Sequence, residues 1–328
     1  MEYSTLLIIT IVFALVFDFI NGFHDAANSV ATIVATQVLK PHWAVIWAAF
    51  FNFIAFLFFE LKVASTIGKG VIDPHIVDTT LILSTLIGAV VWNLVTWYWG
   101  LPSSSSHALI GGLVGTGIAK AGTGALNLEG LTKIGFSIVG SPLFGLILGF
   151  LMMKLVRVLV MSFKPKEIDG WFRKLQLVSA SLYSLGHGGN DAQKTMGIIT
   201  VLLVSSGHLQ GDFKTPFWVV ISCQLAMGLG TLFGGWKIVK TMGMKLTKLK
   251  PIGGFCAETS GAATLFLATS LGIPVSTTHT ITGSIVGVGA ADTIKKVKWN
   301  IAGRIVWAWI FTIPAAATIG AISYLILK

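Results

Sequence analysis

Two carboxylates stand in otherwise amide-rich, small-residue stretches: Asp25 in Asn21-Gly-Phe-His-Asp-Ala-Ala-Asn28, and Asp191 in Gly186-His-Gly-Gly-Asn-Asp-Ala-Gln-Lys194. Long apolar runs flank both. At membrane depth a carboxylate costs at least about 2.5–3.5 kcal/mol, so each needs a partner or a task. Asn21 and Asn28 lie near the first and Asn190 and Gln193 near the second. Carboxylate, amide and loosened carbonyl oxygens together form a hard-oxygen cage that suits an alkali cation or a proton. The plainer alternative is a structural ion pair of Asp191 with Lys194. Asp18 and Glu258 also lie in or beside apolar segments.

A second pair of motifs carries hydroxyls. Gly100-Leu-Pro-Ser-Ser-Ser-Ser-His-Ala-Leu-Ile-Gly-Gly-Leu-Val-Gly115 aligns without a gap on Gly272-Ile-Pro-Val-Ser-Thr-Thr-His-Thr-Ile-Thr-Gly-Ser-Ile-Val-Gly287. Proline suits the first turn of a helix, and a helix N-terminus offers free amides and positive dipole to an anion. Ser103 to Ser106 and Ser276, Thr277 and Thr278 would add donors at two such starts; simple N-capping is the competing role. Anion donors and carboxylates in one place create coupling, because empty carboxylates repel an anion until cations neutralise them. Two other classes use the same residues differently. His24, His107, His187 and His279 with the aspartates could build an intramembrane metal centre, as in a metal transporter or metalloenzyme, although no HExxH-type spacing is present. A passive anion channel would need rings of basic side chains that the apolar segments lack.

The elements that must position these groups are membrane helices. Of 328 residues 54% are hydrophobic and 11% charged, with mean hydropathy +0.82, against about 25% charged in soluble domains. Apolar runs at 4–17, 43–59, 79–99, 134–153, 217–236 and 300–327 approach or reach the roughly 20 residues of a spanning helix. The net charge of +10 sits in short loops, so it reports orientation and not nucleic-acid binding. Residues 154–174 and 237–250 are rich in Lys and Arg and should be cytoplasmic; 60–78 and 208–215, with both termini, then face outward. No signal peptide is expected. Cys223 and Cys256 read as apolar core residues.

The same order of motifs in two halves, with opposite starting sides, predicts an all-α polytopic membrane protein of two inverted-topology repeats, with broken helices, re-entrant-like hairpins and roughly 10–12 membrane segments. The first repeat is 1–160, a short basic cytoplasmic linker 161–175, and the second repeat 176–328. Interruptions are expected at Gly22, at Gly186, Gly188 and Gly189, and at Pro102 and Pro274, which should each open a new helix. Irregular backbone at depth must line a cavity or be buried in protein, so they should converge.

These four motifs resemble the paired signatures of the inorganic phosphate transporter (PiT) family, over nearly the whole chain and including Gly-Phe-Cys-Ala-Glu258. The resemblance implies phosphate uptake driven by sodium or protons, sodium being the preferred choice, with alternating access, outer termini, a cell-membrane location and a homodimer. It implies no cofactor beyond the coupling ions and no enzymatic activity. Asp25, Asn28, Asn190 and Asp191 fall on positions assigned to the cation, and Ser104, Ser105, Ser106, Gln193, Ser276, Thr277 and Thr278 on positions assigned to phosphate. Asn21, Lys194, Glu258, His107 and His279 are further candidates. His24 departs from the commoner pattern, which has Asn there.

Overall fold

The structure, a computed structural model, describes residues 4–210 and 213–328. Residues 1–3, and 211–212 of the 208–215 loop, both expected to face outward, lie outside the described residues. The described residues form twelve α-helices: α1 (Thr5–Ala35), α2 (Pro41–Ile54), α3 (Lys62–Gly70), α4 (Thr79–Trp99), α5 (Ser105–Ala121), α6 (Leu128–Val160), α7 (Pro165–Ser205), α8 (Phe217–Phe233), α9 (Trp236–Val239), α10 (Pro251–Ser270), α11 (Thr277–Asp292) and α12 (Trp299–Leu327).

Local chemistry sets many of these boundaries. Ser4 and Asp78 accept the amides of Leu7 and Leu81 to start α1 and α4, while α2, α7 and α10 open on proline, whose missing N–H is no loss there. Gly100 and Gly272 turn the chain out of α4 and α10 with φ of 64° and 70°, a region that strains side chains with a Cβ. α1, α4, α6 and α12 are long and apolar enough to cross a bilayer. The segments Pro41–Leu57 and Lys62–Gly68 form a bent pair at 85°, and Phe217–Phe233 and Trp236–Lys245 another at 64°. Phe136, Val158, Trp307 and Ile310 on α6 and α12 are exposed; such an apolar belt would be a liability in water and is a lipid-facing surface in a bilayer. The chain is a multi-pass membrane protein.

The halves exchange partners. α1 packs on α8 as α7 packs on α2, and α5 packs on α12 as α11 packs on α6. The short α3 lies against α7, as α9 and its π-helical extension 240–245 lie against α1. Each re-entrant helix is thus covered by the last helix of the other half, which makes two inverted repeats one body. Residues 161–164 separate α6 from α7, and the remainder of the 161–175 stretch forms the first turns of α7.

The expected breaks at the glycines are not there. α1 runs unbroken through Gly22, and α7 through Gly186, Gly188 and Gly189. A Cβ on Gly22 would lie 2.1 Å from the Met227 carbonyl oxygen, and one on Gly188 2.4 Å from that of Asn52. Glycine serves close helix crossing at these positions, and the breaks fall one helix later, after α2 and after α8. Nor do the prolines open the re-entrant helices: Pro102 and Pro274 lie two residues ahead of the N-caps Ser104 and Ser276.

Candidate functional site

α1 and α7 carry the carboxylates, and α5 and α11 begin beside them. Ser104 accepts the His107 amide (3.2 Å) and Ser276 the His279 amide (3.1 Å). Both are therefore caps, as the plainer alternative held for these two residues. Capping satisfies only one of the orphan amides at each start, so the first-turn amides of Ser105, Ser106, Thr277 and Thr278 keep no intrahelical acceptor. Two positive helix ends, related by the repeat, thus open at the same place.

The hydroxyls after the caps reach the acids. Ser105 Oγ donates to Asp25 Oδ1 (3.3 Å) and Thr278 Oγ1 to Asp25 Oδ2 (3.5 Å), while Thr277 Oγ1 donates to Asp191 Oδ2 (2.8 Å). Asn28 Nδ2 bonds both Thr277 and Thr278, at 3.2 and 2.9 Å. The Lys194 ammonium pairs with Asp191 and also bonds Ser106 Oγ and the Val275 carbonyl, the last at 2.8 Å. One lysine therefore joins an acid of α7 to both re-entrant starts. None of these side chains is more than 4% exposed, so the group is sealed from solvent. Asp25, His187 and Asp191 bring ligand atoms within 4.8 Å of one another, close enough to share one cation.

The chain that carries this group, on a fold of two exchanged repeats, has close relatives. A model of the phosphate transporter family matches residues 21–168 and again 162–320, once for each half. The chain belongs to the phosphate transporter family. It is similar to a protein of Rhizobium meliloti (strain 1021), 63% identical over 97% of this chain and 96% of that one, and to one of Bacillus subtilis (strain 168), 47% identical over 98% and 97%. Each is described as a probable low-affinity inorganic phosphate transporter. A solved structure described as the sodium-dependent phosphate transporter superposes with a TM-score of 0.91, at 27% identity and over 99% of both chains. Like the other members, this phosphate transporter family chain is a transport protein and not an enzyme.

Within the family fold, the remaining candidates take different places. His24 and Asn190 occupy equivalent turns: His24 Nδ1 lies 2.6 Å from Asp25 Oδ1 and its Nε2 3.1 Å from Thr96 Oγ1, while Asn190 Nδ2 donates to Thr269 Oγ1 (2.9 Å). The departure at His24 thus keeps the tie to the end of α4 that Asn190 makes to the end of α10. Asn190 Oδ1 and Asn21 Oδ1 are buried without a hydrogen-bond partner, and both are oxygens a cation can use. Gln193 faces elsewhere, its amide accepting from the Val63 and Ala64 N–H groups (3.0 and 3.3 Å) and donating to the Glu60 carbonyl (3.0 Å), so it holds the start of α3. Glu258, on α10, accepts from Thr32, two turns beyond Asp25 on α1, and from Gln176 and Ser179, at 2.5, 2.9 and 2.5 Å. His107 and His279 meet edge to face at 4.6 Å, and His279 stacks on Trp309 at 3.8 Å; they pack behind the helix starts.

Three contributors were not among the candidate residues. Tyr183 donates to the Thr277 carbonyl (2.9 Å), Thr96 orients His24, and Thr195 donates to the buried Asp18 (2.9 Å). Only Thr195, directly after Lys194, lay near a signal that could have found it.

A phosphate-binding role for these hydroxyls has a direct test. Ser105→Ala and Thr277→Ala should each weaken phosphate binding by about 1.5–3 kcal/mol, the worth of a donor to an ion, with folding retained. Isothermal titration of the purified variants measures this; unchanged affinity in both would reduce the hydroxyls to local helix-start contacts.

Proposed function

We propose that this chain imports inorganic phosphate together with sodium, by alternating access around the site between Asp25 and Asp191. The observation that carries the proposal is the meeting of two helix N-termini, with their free amides, on two buried carboxylates. Phosphate is the anion taken by the four amides and by Ser105, Ser106, Thr277 and Thr278; sodium is held by Asp25, Asn28, Asn190 and Asp191. Supporting this are the phosphate transporters among the relatives and the sodium dependence in the description of the solved structure. Neither ion crosses alone, because the acids oppose the anion until sodium neutralises them.

Proteoliposomes with radiolabelled phosphate, under a sodium or a proton gradient imposed separately, test this. Accumulation is expected with sodium alone. Accumulation with protons alone would transfer the coupling to protons, and flux without either gradient would make the chain a passive channel. The grouping of His187 with the two aspartates keeps one rival specific: stoichiometric zinc in purified protein, competing with sodium, would replace this proposal with a metal site.

The proposed orientation in the cell membrane places 161–175 and 237–250 in the cytoplasm and both termini outside, by the excess of Lys and Arg. Cysteines replacing the exposed Lys166 and Lys245 should react with an impermeant maleimide from the cytoplasmic side only. Labelling of intact cells at either position would overturn the orientation. Assembly as a homodimer is part of the same proposal, and mass photometry of the detergent-solubilised protein reads it.

A further inference from the structure

One concavity lies well away from the ion site. A cleft of about 870 Å³ opens between the ends of α6, α10 and α11 and the segments that follow α9 and α11. Lys245, Lys248 and Lys250 line it from one segment, and Lys295, Lys296 and Lys298 from the other. Arg157 and Asp292 complete its charged wall. Asp292 is engaged by both Arg157 and Lys296, which leaves Lys245, Lys248, Lys250, Lys295 and Lys298 without an ion pair among the described residues.

The two lysine segments are fixed to each other. Lys298 N–H donates to the Leu246 carbonyl (3.0 Å) and Thr247 Oγ1 to the Lys296 carbonyl (3.4 Å). A Cβ on Gly289 would lie 2.8 Å from Thr247 Oγ1, so the first segment is also seated closely on α11. The first half joins its equivalent segments the same way, Asn127 N–H donating to the Val71 carbonyl (3.1 Å), yet carries Asp73 and Asp78 there with Lys120. The fold therefore does not require the lysines. A topological preference for basic cytoplasmic loops accounts for their sign, and not for their convergence on one concavity.

We propose that this cleft is a second anion site, for a soluble cytoplasmic compound carrying several adjacent phosphoryl groups. Orthophosphate brings too little charge and fills too little of the space to satisfy five unpaired lysines. A bilayer presents its headgroups in a plane, whereas these ammonium groups line a hollow. α11 runs from Thr277 at the ion site to Asp292 at the cleft, 16 residues or about 24 Å at 1.5 Å per residue, so the two sites do not overlap. An occupant would bridge the segment leading into α10 to that leading into α12, and so brace helices of the transport site.

The probe is inorganic tripolyphosphate, titrated calorimetrically into the full chain purified in detergent with neutral lipid. Both faces are accessible there, so the result does not depend on the orientation proposed above or on transport itself. Saturable binding is expected, weakened about tenfold in Lys248→Gln/Lys250→Gln and again in Lys295→Gln/Lys298→Gln, and falling with added salt. Orthophosphate binding at the transport site, measured on the same preparations, should not change and serves as the check on folding. No saturable binding in wild type, or equal affinity in both variants, overturns the proposal. Retained anionic lipid that tripolyphosphate cannot displace, but the lysine substitutions release, would overturn it in favour of a membrane contact.

Discussion

Asp25→Asn should make phosphate binding nearly independent of sodium and abolish accumulation against a gradient. Counted formally, the buried group holds Asp25 and Asp191 against the single ammonium of Lys194, which leaves one negative charge beside the four anion-facing amides. One sodium cancels it. The substitution cancels it permanently, keeping size and an oxygen ligand while removing the charge that opposes phosphate. At about 5 Å and an effective dielectric near 20, a pair of unit charges interacts by roughly 3 kcal/mol, the upper end of the 1–3 kcal/mol common for coupled sites. Sodium affinity should therefore fall by roughly a hundredfold, while phosphate affinity measured without sodium rises. Linkage reciprocity sets a different equality, that in wild type and variant alike sodium strengthens phosphate binding by the same factor by which phosphate strengthens sodium binding. Calorimetric titration of phosphate across a range of sodium concentrations reads both, and liposome uptake reads accumulation. A variant that keeps the wild-type sodium dependence and still concentrates phosphate would make Asp25 a structural residue and end the proposed mechanism.

Lys194→Met is the second change with a large expected effect, and on stability first. Lys194 is 1% exposed and is the counter-charge of a carboxylate that is itself fully buried. Removing one member of such a pair leaves the other charge uncompensated, at a cost of about 3–5 kcal/mol. The double variant Lys194→Met/Asp191→Asn removes both charges and should recover much of that loss, a coupling that a double-mutant cycle isolates. Thermal unfolding in detergent should rank wild type, double variant and single variant in descending order. The double variant should still bind phosphate poorly, since Lys194 also supplies positive charge and a contact to Ser106 at the start of α5. Additive losses in the cycle would show that Lys194 does not serve Asp191, whatever their proximity.

Much of this was written in residue order. The apolar runs, the two copies of Gly-x-Pro followed by hydroxyls, and the two aspartates beside amides are each local patterns, and local patterns are what helix periodicity and capping chemistry read. Membrane class, the two repeats and the grouping of Asp25, Asp191, Ser105, Ser106, Thr277 and Thr278 are legible in those patterns alone. The position of the breaks could not. Glycine permits a break and permits close packing equally, and only the carbonyls of Met227 and Asn52, contributed by the opposite half, decide that Gly22 and Gly188 do the second. The fate of Gln193 turned on the same kind of fact, since the amides of Val63 and Ala64 that it holds are far away in sequence.

What the sequence alone determined is therefore chemistry and periodicity: which segments lipid would accept, which residues could hold an anion or a cation, and that both came in two copies. What the tertiary structure decided is who faces whom. Lys194 joins Asp191 to Ser106 and Val275, Tyr183 holds the Thr277 carbonyl, and lysines from two separate segments close on one cleft. Apart from the Lys194–Asp191 pair, which lies within α7, those contacts join segments far apart in the chain, and the spacing of the helices that bring them together is set by side-chain volume at the helix crossings, a quantity no single segment contains.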